Sequence, residues 1–430
     1  MYQFRDPVHG FIEVSDIECR IINTPAFQRL RNIRQLATTY QVYHGAEHTR
    51  FGHSLGVMHL VSKAFDAVTQ KQVNLFRNDE EENRIVTLWY RQIIRLIALT
   101  HDLGHAPFSH ASEDLFEKGL VHEDYTKKIM METDIGDYIR MIGEEFQKQY
   151  GKQYKITPEL IWMIYHGDAV NEEYIMPDFK FLQGFMDSEL DCDKMDYLLR
   201  DSMFCGVSYG KYDLERFIST LTVYKNNNKM KLAIEKGGIQ AFEEFVLARY
   251  FMFIQVYFHK TRRYFDHLLV KCLAEMLDGG KYPVEVSKYL EWDDIRVLNE
   301  INKSDKEIYR QYKSRVTMSC IYETTAHANS DEGNNYKIIN NLLKKEFNTD
   351  KIYCNEVDKA AHKLQPLFMV TNDDSDRAIL VIDGKTGLTK NVMDESLILK
   401  GIIEPISIKR IYVTKDIANQ AKDIIQKIQS

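Results

Sequence analysis

Apolar positions along most of the chain recur at helical spacing. Between residues 54 and 70, Leu55, Met58 and Leu60-Val61 fall on one face at three- and four-residue steps, which predicts a helix. A second helix is predicted over 85–103, where Ile93-Ile94-Arg95-Leu96-Ile97-Ala98-Leu99 reads as its buried end. Gly104 stands where helices commonly stop, and Pro107 follows. The acidic stretch Asn78–Asn83 ahead of this helix predicts a surface loop. Further helices are predicted at 112–118, 123–149, 158–166, 189–202 and 212–221, and one long helix over 239–277. On that long helix Arg249 and Lys260 are expected to share a face. Near the start, Asp6-Pro7-Val8-His9-Gly10 predicts a turn and Phe11–Val14 a short strand. Asn23 or Thr24 before Pro25 predicts a helix start. A polar hairpin is expected over 221–236, turning at Asn226-Asn227-Asn228.

After about residue 310 the pattern changes. Ala326–Asn335 reads as a polar loop, Tyr336–Phe347 as a helix, and Lys351–Val357, Ala378–Asp383 and Arg410–Thr414 as strands. A last helix is expected over Ile417–Ile428. The predicted fold is therefore mainly α: a helical core over residues 1–310 and a small α+β domain over 311–430. Gly384-Lys385-Thr386 invites a phosphate-loop reading, but position 379 is Ile rather than the glycine that motif requires, so a hairpin turn is expected.

Composition narrows the function. The chain has 430 residues, 44% hydrophobic and 28% charged, with a formal net charge of -7. An acidic protein does not make a general nucleic-acid coat, although a local basic pocket stays open to it. The 6 cysteines form no Cys-x-x-Cys, which argues against a zinc ribbon or disulfide scaffold and for a reducing compartment. No apolar run reaches membrane-spanning length and no signal-peptide core is seen, so a cytoplasmic location is expected.

The candidate chemistry centres on His101-Asp102-Leu103-Gly104-His105-Ala106-Pro107-Phe108-Ser109-His110. A carboxylate at the end of a core helix is costly to bury unless it is paired or meets a cation. Upstream, His48-Thr49-Arg50-Phe51-Gly52-His53-Ser54-Leu55-Gly56 adds a second histidine group. Downstream, Asp191–Asp201 adds carboxylates, with Asp193, Tyr197 and Asp201 at four-residue steps. His53, His101, Asp102 and Asp193 together offer two nitrogens and two carboxylates, which suits Mn, Fe, Co, Mg or Zn.

These motifs, in this order, resemble the HD superfamily of metal-dependent phosphohydrolases, and within it the deoxynucleoside triphosphate (dNTP) triphosphohydrolases. The similarity runs from Asp6-Pro7-Val8-His9-Gly10 to Tyr257-Phe258-His259-Lys260. The resemblance implies hydrolysis of dNTPs to deoxynucleoside and inorganic triphosphate, with a divalent metal on His53, His101, Asp102 and Asp193. It implies that His105, His110 and His122 line the pocket where the α-phosphorus is attacked, with Glu113 orienting His122 as general acid. It further implies that Arg50, Lys194, Arg249 and Lys260 hold the triphosphate. Gln35, Leu36, Tyr197 and Asp201 would contact the sugar, and Tyr257 would crowd its 2′ face. Homo-oligomers, dimer or tetramer, are expected on the same ground.

In vertebrate members an activating nucleotide is read at a stretch that corresponds to Asn23, Gln28 and Arg31. Asn23 stands where the guanine-reading carboxylate would be, so an activating nucleotide other than a guanine one is left open. Phe258 falls where a polar residue would approach the base, which leaves base preference open. Two other readings are weighed: an HD phosphodiesterase or nuclease acting on oligonucleotides or cyclic nucleotides, and a non-catalytic nucleotide sensor. The absence of a basic tract speaks against the nuclease, and the complete histidine and carboxylate set against the sensor.

Overall fold

A computed structural model describes residues 1–167, 179–226, 229–360, 362 and 378–429. The fold is mainly α, as expected. Helices Arg50–Gln70 and Glu80–Thr100 pack on each other at its centre, and their residues Leu60, Val61, Ile94 and Ile97 are buried. No helix among the described residues is long and apolar enough to cross a membrane.

Strands β1 (Tyr2–Asp6) and β2 (Gly10–Val14) form an N-terminal hairpin whose turn carries His9. Thr24 caps the helix Pro25–Gln28, with proline in its first turn. Of the expected acidic loop, Asn78 and Asp79 precede the second long helix and residues 80–83 form its first turn instead. Asp79 caps it by accepting from the Glu82 amide (2.9 Å), and Glu80–Glu82 lie at the positive end of the helix dipole.

Two expected long helices are broken. The stretch 123–149 divides into His122–Glu132 and Asp134–Tyr150, because Thr133 is extended and its hydroxyl caps the second helix. The stretch 239–277 divides into Ile239–Met252, a π-turn at Phe253–Tyr257 and Lys260–Met276, with His259 extended between them. The break has an apolar cause: Phe253, Ile254 and Phe258 pack on Val357, Ile406 and Ile408 of a sheet. Arg249 and Lys260 therefore do not share one continuous helical face.

The hairpin β3 (Leu221–Asn226) and β4 (Lys229–Glu235) is present, and the expected turn residues Asn227 and Asn228 lie outside the described residues. In the C-terminal part, β5 (Ser319–Glu323), β6 (Ile352–Lys359) and β9 (Ile406–Val413) form one antiparallel sheet in the order β5-β9-β6. Helices Ser330–Glu346 and Ala418–Gln429 pack on this sheet and share its apolar core. The first of them starts within the expected 326–335 loop, at a capping box formed by Asn329 and Glu332. Strands β7 (Leu380–Ile382) and β8 (Thr389–Asn391) are joined through the Gly384-Lys385-Thr386 turn. They do not join that sheet: β7 runs parallel to β4, giving the order β3-β4-β7-β8. One sheet thus unites chain segments from either side of residue 310.

Candidate functional site

The site forms where the long helices meet helix Cys192–Cys205. His53 lies near the start of the Arg50–Gln70 helix, and His101 caps the end of the Glu80–Thr100 helix. Both are buried, as is Asp102. His53 Nε2 lies 2.9 Å from Asp193 Oδ1 and 3.6 Å from Asp102 Oδ2. His101 Nε2 lies 3.3 Å from Asp102 Oδ1 and 3.6 Å from Asp193 Oδ1, and hydrogen-bonds neither. The nitrogen and oxygen donors of His53, His101 and Asp102 all fall within 4.8 Å of one another.

What aims these rings was only partly legible beforehand. His53 Nδ1 lies 2.8 Å from Asp196 Oδ2, and His101 Nδ1 lies 2.7 Å from the Ala98 carbonyl. Each contact fixes one ring nitrogen and turns the other toward the carboxylates. Asp196 is held in turn. Arg200 donates to both of its oxygens (2.8 and 2.9 Å) and also reaches Asp6, while His9 Nε2 lies 2.6 Å from Asp196 Oδ1. His9 does sit in a turn, as its surroundings imply, and it also belongs to this buried network. Gly56 makes the close approach achievable: a Cβ there would lie 1.9 Å from Asp196 Oδ1. The four-residue step from Asp196 to Arg200 was the available signal for this pair.

The acids outnumber the nearby cations, and the proton equilibria reflect it. Burial alone would lower the His53 pKa, but hydrogen bonds to Asp193 and Asp196 outweigh it and push it up to about 10. Asp193 is only partly buried; burial would raise its carboxyl, but His101 and His53 hold it well below the usual range. A cluster that attracts protons in this way also has the chemistry to take up a divalent cation. His101 Nε2, buried and without a hydrogen bond, is a donor in need of one.

A second histidine group abuts the first through Asp102, whose Oδ1 lies 3.2 Å from His105 Nε2. Glu113 Oε1 lies 2.9 Å from His110 Nδ1, 2.6 Å from His122 Nδ1 and 3.9 Å from His105 Nδ1. The rings of His105 and His122 stack at 3.9 Å. This contact depends on Gly104, where a Cβ would lie 2.0 Å from the His122 carbonyl. Burial would raise the Glu113 carboxyl, but His110 and His122 hold it well below its ordinary value. His105 is pushed far down by burial, with Arg50 and His122 adding to the effect, which favours the neutral ring.

The residues expected to bind substrate fall into separate groups. Arg50 is buried and donates to Ser109 Oγ (2.7 Å) and Asp102 Oδ2 (2.6 Å). Lys194 bonds the Ser188 carbonyl (2.8 Å) and Asp191, and Arg249 bonds Glu189 (3.1 Å). Tyr257 donates to Asp201 Oδ2 (2.7 Å), and His48 Nε2 lies 2.8 Å from Asp201 Oδ1. The rings of Tyr197 and Tyr257 meet edge-on at 6.3 Å. Gln35 joins this group through its amide, which donates to the His48 carbonyl. Its side-chain oxygen is buried without a partner, and Leu36 beside it is buried. His48, Glu189 and Asp191 carried no distinguishing signal in the sequence.

Lys260 is not brought to these groups. It opens the helix after the π-turn, is half exposed and lies 3.7 Å from Glu323 in a cavity of about 260 Å³ shared with His259 and Arg410. Gln28 and Arg31 do meet, Arg31 Nε donating to Gln28 Oε1 (2.7 Å), while Asn23 ends the neighbouring helix.

Residues 212–357 match the HD associated region family. A hypothetical protein from Aquifex aeolicus has a similar structure, with a TM-score of 0.76 and 31% identity over 98% of this chain and 99% of that one. The human deoxynucleoside triphosphate triphosphohydrolase SAMHD1 is 27% identical over 75% of this chain. The chain carries the HD associated region and is a relative of the HD-domain dNTPases. The uncharacterized Bacillus subtilis protein YwfO is 36% identical over 72% of this chain. The matches span 65% of YwfO and 51% of SAMHD1, so this chain represents about half to two thirds of those relatives.

Proposed function

We propose that this protein is an HD-type phosphohydrolase that cleaves dNTPs to deoxynucleoside and inorganic triphosphate. The observation that carries the reading is the sharing of Asp102 between two donor sets. One, of His53, His101, Asp102 and Asp193, suits a divalent cation; the other, of His105, His110, Glu113 and His122, suits proton transfer. The relationship to a dNTP triphosphohydrolase supports it.

His53, His101, Asp102 and Asp193 would hold the cation, which when bound supplies Lewis-acid stabilisation of charge on a phosphoryl oxygen. The remaining steps belong to the chain. Glu113, 2.6 Å from His122 Nδ1, would orient that ring by charge pairing, leaving Nε2 to protonate the leaving 5′-oxygen. His105, neutral and stacked on His122, holds the ring in place without adding charge. Lys194 and Arg249 supply positive charge to a triphosphate, which must draw them from Asp191 and Glu189. Tyr257, pinned by Asp201, presents a fixed aromatic edge suited to excluding a ribose 2′-hydroxyl.

The decisive experiment is product analysis with each dNTP in Mn or Mg. Release of tripolyphosphate and deoxynucleoside supports the proposal. Release of pyrophosphate or monophosphate overturns it, and turnover of oligonucleotides or cyclic nucleotides alone overturns it in favour of a phosphodiesterase. We extend the proposal to a homo-oligomer, dimer or tetramer, which light scattering tests.

A further inference from the structure

The loop that carries His105, His110 and Glu113 contains two successive non-glycine residues in the left-handed region, Phe108 (φ 59°) and Ser109 (φ 55°). Such conformations persist only where the surroundings over-determine them. Here the surroundings are specific. Asp294 Oδ1 accepts from the Phe108 amide (2.7 Å), and its Oδ2 accepts from the Arg34 amide (3.0 Å). Ser109 Oγ donates to the Arg34 carbonyl (2.7 Å) and accepts from Arg50 Nε (2.7 Å), whose other arm holds Asp102.

The segment around Asp294 grips the same two loops at further points. Tyr289 donates to the Gly104 carbonyl (2.6 Å), and the Tyr282 amide to the Leu115 carbonyl (2.9 Å). From the other side, Arg29 donates to the Trp292 carbonyl (2.8 Å) and Asn32 to Asp293 (3.0 Å). Asp294 itself is buried, at 1% exposure. The hydrogen bonds described for it run to Arg34 and Phe108, and to no member of either donor set.

We propose that Asp294 is a positioning residue: it sets the left-handed turn at Phe108–Ser109 and so places His110 and Glu113 against His122. It also ties that turn to the Arg34–Leu36 loop, so the proton-transfer group and the expected sugar contacts move as one body. The consequence for turnover rests on the phosphohydrolase reading; the consequence for the loop does not.

The test compares the full-length wild type with Asp294→Ala, the milder Asp294→Asn, and Asn329→Ala as a control for purely structural loss. Asn329 caps the helix Ser330–Glu346 in the C-terminal part and touches neither loop. Amide exchange is read at Phe108 and Arg34 against the core strand residue Ile411, together with Mn affinity by calorimetry, thermal unfolding, kcat and KM. For Asp294→Ala we expect exchange at Phe108 and Arg34 to accelerate at least about tenfold while Ile411 stays protected. We also expect kcat to fall by about tenfold or more, with KM and Mn affinity within about threefold. Asp294→Asn, which keeps one acceptor oxygen, gives a smaller change in the same direction, and Asn329→Ala lowers unfolding temperature without either effect.

Unchanged exchange at Phe108 overturns the proposal. So does faster exchange with unaltered kcat, or equal effects from Asn329→Ala. If the wild type releases no triphosphate from any dNTP, the functional reading fails, while the exchange data still decide whether Asp294 sets the turn.

Discussion

Asp196 holds His53 by its Nδ1, at 2.8 Å, and so turns Nε2 toward Asp193 and Asp102. Removing a partner of this kind commonly lowers metal affinity by about 10–100-fold. Asp196→Asn preserves volume but weakens the grip on both His53 and Arg200. We expect Mn affinity, measured by titration calorimetry, to fall within that range while the protein stays folded by circular dichroism. Wild-type affinity in the variant would show that the ring needs no such support.

Replacement of both His101 and Asp102 by Ala should remove bound metal and hydrolysis together, leaving a largely helical fold. Asp102 also receives Arg50 and faces His105, so some loss of unfolding temperature is expected. Metal analysis and a tripolyphosphate assay read the two effects. Full activity in this double variant would rule out the ligand assignment.

His122→Ala should lower kcat by about 10²–10⁴, the usual worth of a general acid. Nucleotide binding should persist, because the candidate phosphate cations lie on other elements. Glu113→Gln should reproduce part of the loss by freeing the His122 ring. If kcat is unchanged in His122→Ala, the proton comes from elsewhere, and His110, 2.9 Å from Glu113, becomes the residue to test.

The difference between what the sequence revealed and what it hid has a physical basis. His53, His101, Asp102 and Asp193 were legible because metal-binding chemistry restricts residue type, and the structure brings the four together. The helices Arg50–Gln70 and Glu80–Thr100 were legible from their apolar spacing. The break at Phe253–Tyr257 was not, since its aromatic residues also suit a helix and only contact with the sheet around Ile406 decides the matter. Pairing of β7 with β4 was hidden for a similar reason: sheet partners distant in sequence leave no local mark. Among charged residues, a buried ion pair such as Arg249 with Glu189 reads in sequence as two solvated side chains.

Acid should destabilise the fold through Glu18. This carboxylate is buried against Arg95, which donates to both of its oxygens at 2.8 Å. Burial would raise its pKa, but Arg95, Ser15 and Gln92 lower it to about 2 from an ordinary 4.5. A lowered folded-state pKa means that the stabilisation is present above the unfolded value and is lost as pH falls through the folded one. It amounts to about 3 kcal/mol at neutral pH. Urea unfolding of wild type and Glu18→Gln between pH 7 and pH 3 should therefore show a gap that narrows below about pH 4.5. A gap independent of pH would show that Arg95 does not depend on the ionised form.

The last prediction concerns activation. Gln28 and Arg31 are joined by a hydrogen bond, and the Arg31 guanidinium lies 3.5 Å over the Phe51 ring. Gln28 Nε2 also donates to the Ile22 carbonyl (2.7 Å), which sets it beside Asn23. Asn23 ends the helix Asp16–Ile22, with its side-chain amide 3.7 Å from Cys19 Sγ. An amide at this point offers one acceptor oxygen where a carboxylate offers two, so it cannot take both guanine N–H bonds. Losing a charged contact of that type removes about 1.5–3 kcal/mol of preference for a guanine nucleotide. Coupling of a nucleotide to assembly or turnover requires that it bind one state better than the other. We therefore expect GTP and dGTP not to be obligatory activators: single dNTPs are either hydrolysed without them or switched on by a different nucleotide. Each dNTP is assayed alone and with GTP while mass is followed by light scattering, and Asn23→Asp is run in parallel to restore the carboxylate. Activation of the wild type by GTP alone, with every dNTP otherwise inert, would show that Asn23 reads guanine after all.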